Sequence, residues 1–153
     1  MSLDPKTENG HERLLQKLQR AQELTPGLIS ELIADACPRL ALLPRDGTPT
    51  RIAQLIEQAA WAEIGLALIA IELPGWALRR LAYDDGDWHC SLSRRPNLPV
   101  EIDDSVDACH QLLPLAIFCA LLVAQPRNVA HKITAVPQFR PAPAQAFCCD
   151  NFA

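Results

Sequence analysis

Apolar positions recur at helical spacing through the first half of the chain. Leu14, Leu15, Leu18 and Ala21 form one stripe, preceded by Asn9 with Glu12 three residues on, a cap and capping-box pair. This predicts a helix from about Gly10 to Glu23. Thr25-Pro26 then restarts helix, with Thr25 as N-cap and Pro26 at the first helical position. Leu28, Ile29, Leu32, Ile33 and Ala36 carry the stripe until Cys37-Pro38 ends it, because a residue before proline avoids the helical region. Arg39 to Gly47 reads as a connector. Thr48-Pro49 repeats the start signal, and one long helix is expected from Thr50 to about Ile71. Its second half is apolar on nearly every side, which marks a helix buried on several faces.

Leu73-Pro74-Gly75 breaks that helix, and the period then changes to two. Trp76 to Tyr83 and Trp88 to Ser93 flank Asp85-Gly86, the strongest short hairpin signal. With Asp85-Gly86 as the loop, Tyr83 faces Trp88, Leu81 faces Cys90 and Arg79 faces Leu92 on an apolar side. Leu78, Arg80 and Ala82 then lie opposite Ser93, Ser91 and His89 on a polar side. After Pro96 and Pro99, Asp103-Asp104-Ser105, with Asp107, reads as the acidic start of a second long helix. It should reach about Ala124 with a kink at Pro114. Beyond Gln125 the periodicity fades, and Val129 to Val136 is a candidate short strand.

These elements predict an α+β fold: layered helices packed on a small antiparallel β-hairpin or sheet, with an N-terminal helical pair. One domain is expected over 1–125, made of an N-terminal helical part (8–47) and a helix–hairpin–helix unit (48–125). A proline-rich C-terminal arm follows at 126–153. A lone hairpin is marginal in water, so either the tail adds a strand or a second subunit extends the sheet. A homodimer or higher oligomer is expected through the apolar halves Ile64–Ile71 and Leu115–Val123, and a protein partner would suit the same surfaces.

Composition narrows the classes. Apolar residues make up 49% of the 153 positions but aromatics only 5%, enough to build a core and too much for a disordered chain. There are 14 Lys and Arg against 18 Asp and Glu, a net charge of −4, which disfavours nucleic-acid binding. The longest apolar run, Leu112 to Ala124, falls short of the about 20 residues a membrane span needs. The polar first thirty residues do not read as a secretory signal. A cytoplasmic location and reduced cysteines are the expectation.

Candidate chemistry is sparse. His89-Cys90 and Cys109-His110 are adjacent pairs whose side chains diverge, unlike the spaced ligands of a zinc site. Neither pair shows the third group that would activate a cysteine nucleophile. Packing explains Cys37, Cys90, Cys109 and Cys119 as small buried hydrophobes, and Cys148-Cys149 is an exposed thiol pair at best. Asp84, Asp85 and Asp87 lack calcium-loop spacing, and a hairpin turn accounts for them. Arg79, Arg80, Arg94 and Arg95 cluster at the open end of the hairpin and could hold a phosphate or carboxylate. A ligand site would fall on Arg79, Arg80, His89 and Ser91, on the polar face. No cofactor or metal is expected.

Leu73-Pro74-Gly75-Trp76, then Asp85-Gly86-Asp87-Trp88-His89-Cys90-Ser91-Leu92, then Leu113-Pro114-Leu115-Ala116-Ile117-Phe118-Cys119-Ala120-Leu121-Leu122 follow one another in order. This series resembles small uncharacterised proteins of alphaproteobacteria and their phages, the group called the phage ABA sandwich domain, over about residues 52–125. The resemblance implies an α-β-α layered unit and brings no established activity. A non-enzymatic interaction or structural protein is the leading expectation. A small-molecule or anion-binding module on the hairpin's polar face is the alternative, and an enzyme with a Cys or His centre comes third.

Overall fold

A computed structural model describes residues 5–133. The element order is α1 (Pro5–Arg20), α2 (Pro26–Ala36), α3 (Pro38–Ala41), α4 (Thr48–Glu57), α5 (Trp61–Glu72), β1 (Ala77–Asp84), β2 (Asp87–Ser93), a 3-10 turn (Val100–Ile102), β3 (Ser105–His110) and α6 (Leu113–Ile133). The three strands form one antiparallel sheet in the order β1-β2-β3. The fold is α+β with a small sheet, as the pattern of periods indicates. The sheet lies against α6, and α6 in turn lies against α5 and α1. α6 is therefore a middle layer, with the sheet on one side and α5 and α1 on the other.

α6 is the core. Every residue from Leu115 to Leu122, and Ala124, is buried. The apolar half Leu115–Val123, expected to meet a second subunit, is thus consumed inside the chain. The same is true of Ile64, Leu68 and Ile69 on α5, which leaves Leu66 as the exposed large residue of that helix. Gly65 sets how closely the two helices approach. A Cβ built there would come 2.6 Å from Ile117 Cγ2 and 3.5 Å from Phe118 Cε1.

The layers are tied by polar bonds at helix ends. Pro126 stands inside α6 and has no N–H to give the carbonyl four residues back, that of Leu122. His11 Nε2 of α1 donates to that carbonyl at 2.7 Å instead. Beside it, Gln125 Nε2 donates to the Ala36 carbonyl at the end of α2, at 2.5 Å. Glu72, buried at the end of α5, performs the reverse service. Its carboxylate accepts from Leu40 N–H at 2.8 Å and Arg39 N–H at 3.2 Å, capping α3, whose own cap residue Cys37 makes no side-chain bond. Each such donor or acceptor, left unpaired in the interior, would cost about 1–3 kcal/mol.

Several boundaries differ from the sequence reading. α1 begins at Pro5, so Asn9 and Gly10 lie within the helix and do not cap it. Thr25 does cap α2, accepting from Leu28 N–H at 3.2 Å. Thr48 is the first residue of α4, with Gly47 as its cap. The single helix expected over 50–71 is two. α4 closes with Ala59 N–H on Ile56 O at 3.1 Å and Ala60 N–H on Leu55 O at 3.0 Å, while Ala59 takes φ 53°. That is a glycine-type helix ending made by an alanine.

The helix expected from Asp103 is a strand for its first part. Val106, Ala108 and His110 point inward while Asp107 and Cys109 are exposed, a period of two. Pro114 falls at the second position of α6, where its missing N–H has no intrahelical partner to lose, so it introduces no kink. Gln125 to Ile133 continue α6. The described part of the candidate strand Val129–Val136 is therefore helix, and its end, with the rest of the arm, lies outside the described residues. Among the described residues no helix is long and apolar enough to cross a membrane.

A β-carbon in the left-handed region costs about 1–2 kcal/mol. Ala59→Gly should therefore raise unfolding stability by about 0.5–1 kcal/mol despite glycine's freer unfolded chain. Urea denaturation checks this: the midpoint should move up with an unchanged slope. An unchanged or lower midpoint would count against the strain at Ala59.

Candidate functional site

The hairpin is built as its sequence requires. Asp85 (φ 51°) and Gly86 (φ 86°) form a two-residue loop with both central residues left-handed, the turn whose twist matches that of the strands. Tyr83 pairs with Trp88, Leu81 with Cys90, Ala82 with His89 and Arg80 with Ser91. The Tyr83 and Trp88 rings meet at 5.3 Å between centroids. Cys90 and Leu92 are buried toward α6, and His89 is exposed on the other face.

Below Arg80 the expected register fails. A bulge between Leu78 and Arg80 sets Leu78 opposite Leu92 and Ala77 opposite Ser93, so Arg79 is the extra residue. Its guanidinium binds the Asp103 carboxylate and also donates to Leu98 O at 3.1 Å. Ser93 Oγ donates to Asp103 at 2.5 Å, and Arg95 N–H donates at 3.1 Å. The Asp103 side chain is fully shielded from solvent. Shielding alone would raise its pKa. The bonds from Ser93, Arg95 N–H and Arg79, with the Arg79 charge, outweigh it and hold the carboxyl below its ordinary value.

Of the four candidate ligand residues, three share the open sheet face. Arg80 and Ser91 lie in one cross-strand row and His89 in the next. Arg79 is drawn away to Asp103. β3 adds two residues from the segment expected to open the second long helix. Asp107 lies opposite Ser91 and accepts its hydroxyl proton, and Cys109 lies opposite His89. Alternation in Ser105–His110 was the signal that could have placed them. The face is open, and two cavities among the described residues lie elsewhere. One groove of ≈620 Å³ runs between α1 and α2 past Arg13, Lys17, Arg20 and Glu31, with Lys17 paired to Glu31 across it. A smaller hollow of ≈390 Å³ is lined by Pro74, Gly75, Arg94, Arg95, Ile102 and Asp104. There Arg94 lies 5.2 Å over the buried Trp76 ring and 3.7 Å from Asp104, so its charge is already engaged.

The cysteines divide by burial. Burial first, with the nearby Glu72 charge, pushes Cys37 up to about 12. Burial and Asp107 push Cys90 up to about 11, and burial with Cys109 and Cys90 pushes Cys119 up to about 12. All three stay protonated and unreactive near neutral pH. Cys109 is exposed, against the expectation of burial. His110 is buried, its Nδ1 accepting from Leu112 N–H at 2.9 Å at the entry to α6. Among the described residues no group of three His, Cys, Asp or Glu could hold a metal. Compared with known proteins, the chain matches no family model, no curated protein and no solved structure.

Two outcomes are expected. Brief alkylation of the native protein, read peptide by peptide, should modify Cys109 and spare Cys37, Cys90 and Cys119. Labelling of the buried three at the Cys109 rate would contradict this packing. Asp103 has a lowered folded pKa, so its contribution is complete above the ordinary value of 3.8 and is lost as pH falls through the folded value. Asp103→Asn should lower melting temperature near neutral pH, and the gap to the parent should narrow below about pH 4. A gap that stays constant with pH would sink the assignment.

Proposed function

We propose that the protein is a non-enzymatic interaction protein that makes its contact through the free edge of β1. The observation that carries this reading is the state of that strand. β1 is an eight-residue edge strand with no second neighbour among the described residues. Its apolar residues Leu78 and Tyr83 are 39% and 61% exposed. An uncovered edge of this length offers main-chain donors and acceptors in a row and usually needs protection. Adding a strand from a partner satisfies those groups and covers the apolar side chains together. The fold that presents the edge is firm, with α6 buried and the hairpin base locked by Asp103.

The anion-binding alternative has less support, because Arg79 is committed to Asp103 and Ser91 to Asp107. A phage-related origin, suggested by the resemblance over 52–125, and a cytoplasmic setting complete the reading. The buried, protonated thiols Cys37, Cys90 and Cys119 suit a reducing compartment.

Hydrogen exchange tests the edge directly. In a two-residue hairpin the residues flanking the loop, here Asp84 and Asp87, exchange backbone bonds, and the pairs then alternate. Arg80 and Ala82 therefore bond to β2, while Leu81 and Tyr83 direct N–H and C=O outward. In dilute buffer the Leu81 and Tyr83 amides should exchange quickly and those of Arg80 and Ala82 slowly. In an unlabelled cell extract, or in concentrated solution of the pure chain, Leu81 and Tyr83 should become protected. Rapid exchange at both residues under every condition would remove β1 as the contact surface.

A further inference from the structure

The edge of β1 is complementary to its own reverse. With Arg79 taken up by Asp103, the strand past the bulge runs Arg80, then Leu81, Ala82 and Tyr83, then Asp84. A strand that is basic at its start and acidic at its end matches a second copy laid antiparallel to it. We infer that the partner is a second copy of this chain, joined edge to edge along β1 so that two three-stranded sheets become one of six strands. This rests on the edge reading above and names its occupant.

Geometry limits the register. Strands bonded edge to edge must set outward-directed residues opposite one another, and opposed residues must share a face of the sheet. The outward residues are Leu81 and Tyr83. A two-fold axis at Ala82 sets Leu81 opposite the partner's Tyr83 and Arg80 opposite the partner's Asp84, each twice by symmetry. An axis at Arg80 would oppose two like charges. One at Leu81 would leave Asp84 facing Leu78. Arg80 and Asp84 are both exposed, and among the described residues neither makes an ion pair. The two charge pairs form on the open face beside Ser91, while the Leu81–Tyr83 pairs form on the apolar face and cover Tyr83. One strand pair buries less than the roughly 1,000 Å² of a stable interface. The dimer is therefore weak, concentration-dependent and loosened by salt.

Sedimentation of the full chain, from low micromolar to about one millimolar, tests this. The expected result is a reversible monomer–dimer equilibrium. Arg80→Asp and Asp84→Arg should each weaken it by about tenfold or more, since each turns two attractions into two repulsions. The double variant Arg80→Asp/Asp84→Arg exchanges the charges and should return to near the parent. Circular dichroism and melting of each variant confirm that the fold is kept. A chain that stays monomeric throughout, single variants that dimerise like the parent, or a double variant as weak as the singles would each overturn the inference. So would slow exchange at Leu81 and Tyr83 in a dilute monomer, which would mean that the edge is occupied within the chain. If the extract protects those amides and concentrated pure protein does not, self-pairing fails while the interaction reading stands.

Discussion

The close contact of Gly65 with Ile117 and Phe118 governs the arrangement of everything around it. Where a side chain would need to fit, α5 has none, so the helix backbone comes down onto α6. α6 is then enclosed by α5 and α1 on one side and by the sheet on the other. A helix enclosed in this way has no solvent to satisfy its backbone, and its one internal proline creates a carbonyl that something must bond. His11 supplies the bond. The position of α1 is therefore fixed by a missing hydrogen on α6 as well as by the apolar stripe of Leu14 and Leu18.

The sheet follows a different logic. Its inner face is stapled to α6 by Cys90, Leu92, Val106 and His110. Its base is held by a single carboxylate, Asp103, which gathers Arg79, Ser93 and the Arg95 N–H from three segments. This gathering accounts for the bulge: Arg79 leaves the ladder because its guanidinium has a better partner below it. Past the bulge, β1 from Arg80 to Asp84 pairs with β2 on one side only among the described strands. That stretch carries Arg80 and Asp84, neither of which makes an ion pair among the described residues.

Much of this was legible in the residues. Thr25-Pro26 and Asp85-Gly86 encode their cap and turn locally, and both formed as read. Cys90 inward and His89 outward followed from the same turn. The third strand was not legible as read because Asp103-Asp104-Ser105 imitates a helix cap, and the apolar run after it absorbed the alternation of Ser105–His110. Ala59 hid the break between α4 and α5, since an alanine carries no mark of a left-handed conformation. Of the candidate site, Arg80, His89 and Ser91 were placed together correctly. Arg79 was not, because the bond that displaces it comes from a residue 24 positions on. Asp107 and Cys109 were missed with their strand. The two greasy helix halves were recognised as buried, but what buries them is the rest of the same chain.

The bond between His11 and Leu122 spans 111 positions, and this has a bearing on synthesis. A ribosome releases α1 first and α6 last of the described elements. α1 therefore emerges long before its acceptor exists, while the hairpin, whose partners lie within a few residues, closes as soon as it is extruded. Contacts of such long range slow folding, because chain entropy is lost before the contact compensates for it. Of the described helices, α1 can meet α2 early through Lys17 and Glu31, but its bond from His11 must wait until Leu122 of α6 has been translated.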